Sequence, residues 1–259
     1  MSVGAKILQS LPPEELESFL NIEGKKYVMT QILIHTKPSQ SNKIIKHKLE
    51  ESLFATIKDP SISSGDKAKL LLQMSEVTPS PVSVSVETSA ISLLMSSGTR
   101  DGATSGSDQE DGANFCSPDT ANILKAFIGN HPNIAAKYSP FIIESARQHF
   151  KHISRSDNLS ENLEICNSLL LIFNRFKKKK FDWCKVGVYL VGDVILCLMA
   201  VAQPELKQLL NSCAHTLLSI SEEYTHEYIS ANLPAAANEV FKVVLEDFKM
   251  NVKFAGRNV

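Results

Sequence analysis

Residues 186–202 read VGVYLVGDVILCLMAVA, an apolar run whose one charged residue is Asp193. A membrane-spanning helix needs about 20 apolar residues, and a carboxylate near its centre costs a few kcal/mol. This run is shorter than that and also contains two glycines. We therefore expect a helix that is buried on most sides within a stack of other helices, rather than a membrane span.

The segments on both sides of this run have the apolar spacing of amphipathic helices. The widest stripe lies in residues 159–176 and is formed by Leu163, Cys166, Leu169, Leu170, Ile172, Phe173 and Phe176. Further helices are predicted over residues 118–129, 133–153, 205–220 and 235–250. Such helices, joined by short loops, indicate an all-α fold of stacked antiparallel helices. The helix lengths suit HEAT- or armadillo-like units, although no repeat of fixed period occurs.

A polar segment separates this C-terminal region from the rest of the chain. Residues 98–117 read GTRDGATSGSDQEDGANFCS, with four glycines, four acidic residues and few apolar ones. Such a composition buries too little surface to offset the entropy lost on ordering. We therefore predict a disordered acidic linker over residues 98–117, between an N-terminal helical segment (1–97) and a C-terminal helical domain (118–259).

Within the N-terminal segment, apolar spacing predicts helices over residues 43–57, 64–75 and 87–97. Val82, Val84 and Val86 alternate with serines, as in a short β-strand. Residues 25–36 read KKYVMTQILIHT and suit either a helix or a strand.

The composition of the 259 residues excludes several classes of protein. Hydrophobic residues make up 43% and the formal net charge is −1, so the chain is globular and has no overall attraction to nucleic acid or membranes. The first 20 residues lack the apolar core of a signal peptide, which favours the cytoplasm or nucleus. Five widely spaced cysteines without a CxxC pair indicate reduced thiols, and predict neither a zinc site nor any other cofactor.

A basic run is the most distinctive local feature. It comprises Arg175 and four consecutive lysines, Lys177, Lys178, Lys179 and Lys180. We call the four lysines the lysine run. The aromatic residues Phe176, Phe181 and Trp183 flank it. These residues could contact RNA phosphates and stack on bases, or direct the chain to the nucleus or nucleolus. The simpler alternative is a solvated loop whose charges favour a helix C-terminus.

The remaining candidates for chemistry favour structural roles. His149 and His152 share a predicted helix face but have no further metal ligands, so we expect ordinary surface histidines. Cys213 and His215 lie two residues apart on a helix and do not face each other. Asp193 needs a partner, with Lys185 and the lysine run near it in sequence, and we expect it to set helix register or to point out through a gap between helices. No catalytic sequence motif occurs, so we do not predict an enzyme.

Three stretches of the C-terminal half resemble a known family. They are residues 131–150 (HPNIAAKYSPFIIESARQHF), residues 185–202, and residues 233–259 (LPAAANEVFKVVLEDFKMNVKFAGRNV). Together they resemble the C-terminal domain of the unhealthy-ribosome-biogenesis or nucleolar pre-ribosomal-associated family, Urb/Npa type, second member. The chain departs from the family pattern at Phe248, where tyrosine is usual, and near Phe254. Family members are several times longer, so this chain would be a fragment, an isoform or a shortened relative.

The resemblance implies a nucleolar helical scaffold for early assembly of the large ribosomal subunit and processing of its RNA. Its partners would be protein assembly factors and pre-ribosomal RNA particles, with no membrane and no small-molecule substrate. Besides Arg175 and the lysine run, we expect Lys249, Lys253 and Arg257 of the last helix to bind a partner. The alternative is a cytosolic helical-repeat adaptor for protein–protein interaction, built from the same helices.

Overall fold

The computed structural model describes residues 43–76, 82–96, 116–131 and 135–255. The chain divides into two compact units, Met1–Phe115 and Cys116–Val259. Within the described ranges all regular secondary structure is helical, so the predicted all-α class is confirmed. Of the predicted linker, only Cys116 and Ser117 fall in these ranges; Cys116 is buried, and Ser117 caps the helix that follows.

The described part of the first unit consists of α1 (Lys43–Lys58), α2 (Ser64–Glu76) and α3 (Val84–Ser96), with α3 packed against both others. The strand predicted at Val82, Val84 and Val86 is wrong, because α3 already begins at Val84. A lone strand would leave its backbone groups unpaired, whereas a helix pairs them within the segment. Glu50 also accepts a hydrogen bond from the backbone N–H of Ser83, at 2.9 Å, and holds the entry to the helix.

The second unit contains seven α-helices in its described residues. They are α4 (Pro118–Asn130), α5 (Ser139–Arg155), α6 (Leu159–Lys178), α7 (Lys180–Ala200), α8 (Pro204–Ile220), α9 (Thr225–Asn232) and α10 (Ala235–Ala255). A 3-10 turn over Ala135–Tyr138 leads into α5. The last helix packs against α7 and α8.

These helices pack mainly against the next but one along the chain. One row is formed by α4, α6 and α8, and a second row by α5 and α7 with α9 beside it. α8 also packs broadly against α7 and joins the two rows. The predicted stack of helices is therefore observed, whereas its subdivision into HEAT-like units stays a prediction.

Polar caps define where several helices begin. Ser117 accepts from the backbone N–H of Thr120 while its own N–H donates to the Thr120 hydroxyl, so both ends of a capping box are satisfied. Asn158 is the N-cap of α6, where its side-chain oxygen accepts from the backbone N–H of Glu161. α9 is missing from the predicted helices because it has eight residues and buries only Ile229, too little for a periodic signal.

α7 starts six residues earlier than predicted and lies in the middle of the stack, against α5 and α8. Its buried side includes Trp183, Leu190 and Val194. Its length and a mean hydropathy of 1.7 over 18 residues would also suit a membrane-spanning helix, and half of that window is buried against the protein. A buried core helix has the same composition.

Asp193 of α7 pairs with a residue that sequence proximity does not indicate. The partner is Arg147 of α5, whose Nε lies 3.1 Å from a carboxylate oxygen of Asp193, and not Lys185 or the lysine run. Burial raises the pKa of Asp193, and the positive charge of Arg147 offsets part of that rise. The pair connects two neighbouring helices of the second row, as expected for a residue that sets helix register.

His149 is not a surface residue, so that prediction is wrong. It is fully buried between α4 and α5. Its Nδ1 lies 2.7 Å from the carbonyl oxygen of Ser145, which can only accept, so the neutral ring carries its proton on Nδ1. Its Nε2 then accepts from the Thr120 hydroxyl, at 3.0 Å, and the single proton of that hydroxyl is shared with the carbonyl oxygen of Ser117, at 2.8 Å. The capping box of α4 thereby contacts α5 through a single imidazole.

The close contact between α7 and α8 depends on the absence of a side chain at Gly187. A Cβ there would lie 2.9 Å from the carbonyl oxygen of Leu217 and would overlap the Ser221 hydroxyl. We expect Gly187→Ala to lower the free energy of unfolding by about 1–3 kcal/mol, measured by urea denaturation. Gly192→Ala is the matched control, because its Cβ would make an ordinary 3.6 Å contact with Leu233. Equal stability of the two variants would contradict this packing.

The buried imidazole of His149 predicts a loss of stability in acid. Burial lowers its pKa to about 4, so the unfolded chain, with a pKa near 6.5, binds more protons between these values. The stability contributed by neutral His149 is complete above pH 6.5 and falls as the pH drops towards 4, by up to about 3 kcal/mol. Urea denaturation at several pH values should show a shallower fall for His149→Asn, which cannot titrate. Parallel curves would refute the assignment.

Candidate partner-binding site

The lysine run lies at the junction of α6 and α7, where one residue separates two long helices. Lys177 and Lys178 belong to the last turn of α6, Lys179 lies between the helices, and Lys180 begins α7. The alternative of a solvated loop is therefore wrong as to the loop, whereas its other part agrees with the structure, because all four lysines are exposed and two of them lie at a helix C-terminus. Backbone bonds from Lys179 N–H to Phe176 and from Asp182 N–H to Lys179 close the junction.

Two of the three flanking aromatic residues are part of the core. Phe176 and Trp183 stack with ring centroids 3.9 Å apart and planes inclined by 12°, and they are 1% and 3% exposed. Because the two rings stack on each other and are mostly buried, their faces do not stack on bases, contrary to the expectation. Phe181 alone of the three projects outward, at 94% exposure.

Arg175 makes a structural contact with α4. Its guanidinium donates to the carbonyl oxygen of Lys125 at 2.5 Å, and it lies over Gly129 so closely that a Cβ there would be 2.6 Å from its Nη1. The cation thus sits beside the last turn of α4, where a positive charge interacts favourably with the helix dipole. Arg175 belongs to the packing of α4 on α6 as well as to the charged surface.

A cavity of about 270 Å³ opens beside the lysine run. It lies between the end of α4, the 3-10 turn and the junction of α6 and α7. Its lining comprises Ile128, Gly129, Ala135, Arg175, Phe176, Lys178, Lys179 and Trp183. Among the described residues, therefore, the cavity has apolar walls, three cations and no acidic side chain. The sequence did not predict the cavity, because the contact of Phe176 with Trp183 depends on the break between α6 and α7 at Lys179.

The predicted binding residues of the last helix are only partly described. Lys249 is exposed on α10. Burial lowers the pKa of His226 in α9, and the charge of Lys249 adds to this effect, so the two residues are neighbours. Lys253 belongs to α10, but its side chain is outside the described part, as is Arg257 altogether.

The other candidate groups form separate, mainly structural contacts. Cys213 lies in the core with its Sγ 3.9 Å from that of Cys166, and its hydrogen bond to Cys166 together with burial raises the thiol pKa well above its usual value. A protonated, buried thiol is a poor nucleophile. His215 instead lies 3.2 Å from Asp247 of α10. The described ranges contain no group of three or more His, Cys, Asp or Glu side chains able to hold a metal ion.

Comparison with known proteins finds no matching family model, no similar curated protein and no similar solved structure. The resemblance to the ribosome-biogenesis family therefore stays a prediction. Function has to be argued from the surface around the lysine run.

Replacing Arg175 distinguishes its structural contact from its charge. We expect Arg175→Gln to lower the free energy of unfolding by about 1 kcal/mol, because the carbonyl of Lys125 and the end of α4 lose a charged donor. Lys177→Gln removes the same charge from an exposed position on the same helix, and we expect it to change stability by less than about 0.5 kcal/mol. Thermal and urea unfolding measure both. If the two variants have the same free energy of unfolding, the contact of Arg175 with α4 does not contribute to stability.

Proposed function

We propose that this chain is a non-enzymatic α-helical scaffold in nucleolar ribosome biogenesis, where it acts in large-subunit assembly and the processing of ribosomal RNA precursors. Its partners would be protein assembly factors and pre-ribosomal RNA particles. This role requires neither a membrane nor a small-molecule substrate. The observation that carries the proposal is the exposure of four consecutive lysines on the ends of two packed helices.

Helical placement makes the lysine run a better binding surface than a loop would be. The backbone of the junction is already ordered, so this segment loses little conformational entropy when a partner binds. Adjacent cations also raise the rate at which an acidic protein or RNA encounters the surface. A basic run of this length is typical of nuclear and nucleolar targeting segments as well. The resemblance of the C-terminal half to the nucleolar family adds independent support.

A cytosolic adaptor is the second candidate, and a different surface favours it. Tyr189, Leu196 and Met199 are 57%, 45% and 45% exposed on α7. Their spacing places them on one side of the helix, as in the grooves that receive an amphipathic helix. The two candidates therefore predict different binding surfaces, the lysine run for the first and the outer side of α7 for the second.

The lysine run should determine both location and partners. We expect replacement of all four lysines by glutamine to abolish nucleolar enrichment of the tagged full chain and to remove large-subunit assembly factors from its pull-down. Glutamine has nearly the same helix propensity as lysine and removes the charge. The pull-down is read by mass spectrometry before and after RNase treatment, and loss on RNase would show that RNA bridges the contact.

The control removes the same charge elsewhere. Four exposed lysines are replaced by glutamine: Lys69, Lys137, Lys151 and Lys207. This variant should keep the wild-type location and partners. Nucleolar enrichment that persists without the lysine run, or recovery of cytosolic proteins alone, would contradict the proposal and favour the adaptor.

A further inference from the structure

We propose that the cavity beside the lysine run binds one bulky apolar side chain of an acidic peptide segment in a partner protein. This inference rests on the proposed function, because it names the chemistry of the partner that the lysines attract. It adds a specific apolar contact, one partner side chain held in the cavity, to the attraction between opposite charges.

The size and walls of the cavity suit an apolar side chain. Its volume of about 270 Å³ is several times the ~30 Å³ that one water occupies in the liquid. Ile128 and Ala135 form one side, and the stacked rings of Phe176 and Trp183 form another. Transfer of an apolar group from water into such surroundings is favourable, by about 25 cal/mol for each Å² buried.

The charged residues that line the cavity indicate that the partner segment carrying this side chain is acidic. Arg175, Lys178 and Lys179 all line the cavity, and no acidic residue of the described part does. The hydrogen bond to Lys125 keeps the Arg175 guanidinium beside the opening. A carboxylate next to the anchoring residue would therefore be attracted by the Arg175 guanidinium and by the ammonium groups of the two lysines. Such a combination of an apolar anchor with a charged rim is typical of specific protein interfaces.

The same geometry disfavours single-stranded RNA as the occupant. Proteins that bind RNA strands offer exposed aromatic faces on which successive bases stack. Here Phe176 and Trp183 already stack on each other and are buried, which leaves Phe181 as the single exposed ring among the three beside the lysines. RNA contact would then be limited to phosphates, and it would not use the apolar walls.

Trp183 makes the proposal directly measurable, because it is the only tryptophan of the chain and lines the cavity. The probe is a short synthetic peptide of aspartate and glutamate with one central phenylalanine, titrated into the full-length protein. We expect Trp183 fluorescence to change on binding. The same peptide with alanine in place of phenylalanine should bind at least about tenfold more weakly, because it leaves the cavity empty.

A matched pair of double variants distinguishes the effect of the lysines that line the cavity from the general effect of positive charge in the lysine run. Lys178→Gln/Lys179→Gln removes two lysines that line the cavity, and Lys177→Gln/Lys180→Gln removes two that do not. We expect about tenfold weaker peptide binding for the first and less than about threefold for the second. Thermal unfolding establishes that both variants are folded. The comparison of the two peptides on the wild-type protein does not depend on them.

Each remaining outcome overturns the inference. Equal affinity for the two peptides, or equal weakening in the two variants, would show charge attraction without use of the cavity, and would leave the proposed scaffold function intact. Trp183 fluorescence that stays unchanged with both peptides would likewise show that neither peptide uses the cavity. Oligouridine that binds more tightly than either peptide would assign the lysine run to RNA. Failure of the scaffold function is detected separately, by the location of the lysine-run variant in cells.

Discussion

The contact of Phe176 with Trp183 is the interaction on which the second unit depends most. The two rings stack across a junction in which only Lys179 separates α6 from α7. With both rings in the core, the charged residues between them have to face solvent. The same stack forms a wall of the cavity. One aromatic pair therefore sets the course of the chain, exposes the cations and shapes the space beside them.

Two polar contacts tie α5 to the helices on either side of it. On one side, His149 accepts from Thr120 and reaches the capping box of α4. On the other side, Arg147 pairs with Asp193 of α7. Apolar contacts tolerate small shifts of one helix along another, whereas a hydrogen bond has one best distance and angle. These side chains therefore specify which residues of α4, α5 and α7 lie opposite one another.

Periodicity was enough to predict the fold class and most helices, because a helix that buries one face repeats its apolar residues every three or four positions. It could not predict α9, which buries a single residue, or the true start of α7, where charges replace the periodic signal. The strand expected at Val82, Val84 and Val86 failed because alternation over three residues does not provide a neighbouring strand.

The site was less predictable than the fold, because the residues that contact one another there are far apart in the sequence. The exposure of the four lysines could be predicted, because charged side chains are rarely buried, whereas their role in binding stays a prediction. The burial of His149 and the partner of Asp193 depend on Thr120 and Arg147, which no local pattern connects to them. The cavity likewise combines residues of α4 with residues at the junction of α6 and α7, so only the packed structure reveals it.

The brevity of that junction restricts how the chain can change in length. A loop normally accepts extra residues with little effect on the elements that it connects. At Lys179 there is little such slack, because the rings of Phe176 and Trp183, on either side of it, stack with centroids 3.9 Å apart. An insertion among the lysines would separate these rings or displace α7 from α5, where Asp193 pairs with Arg147. The composition of this short segment is therefore freer to vary than its length.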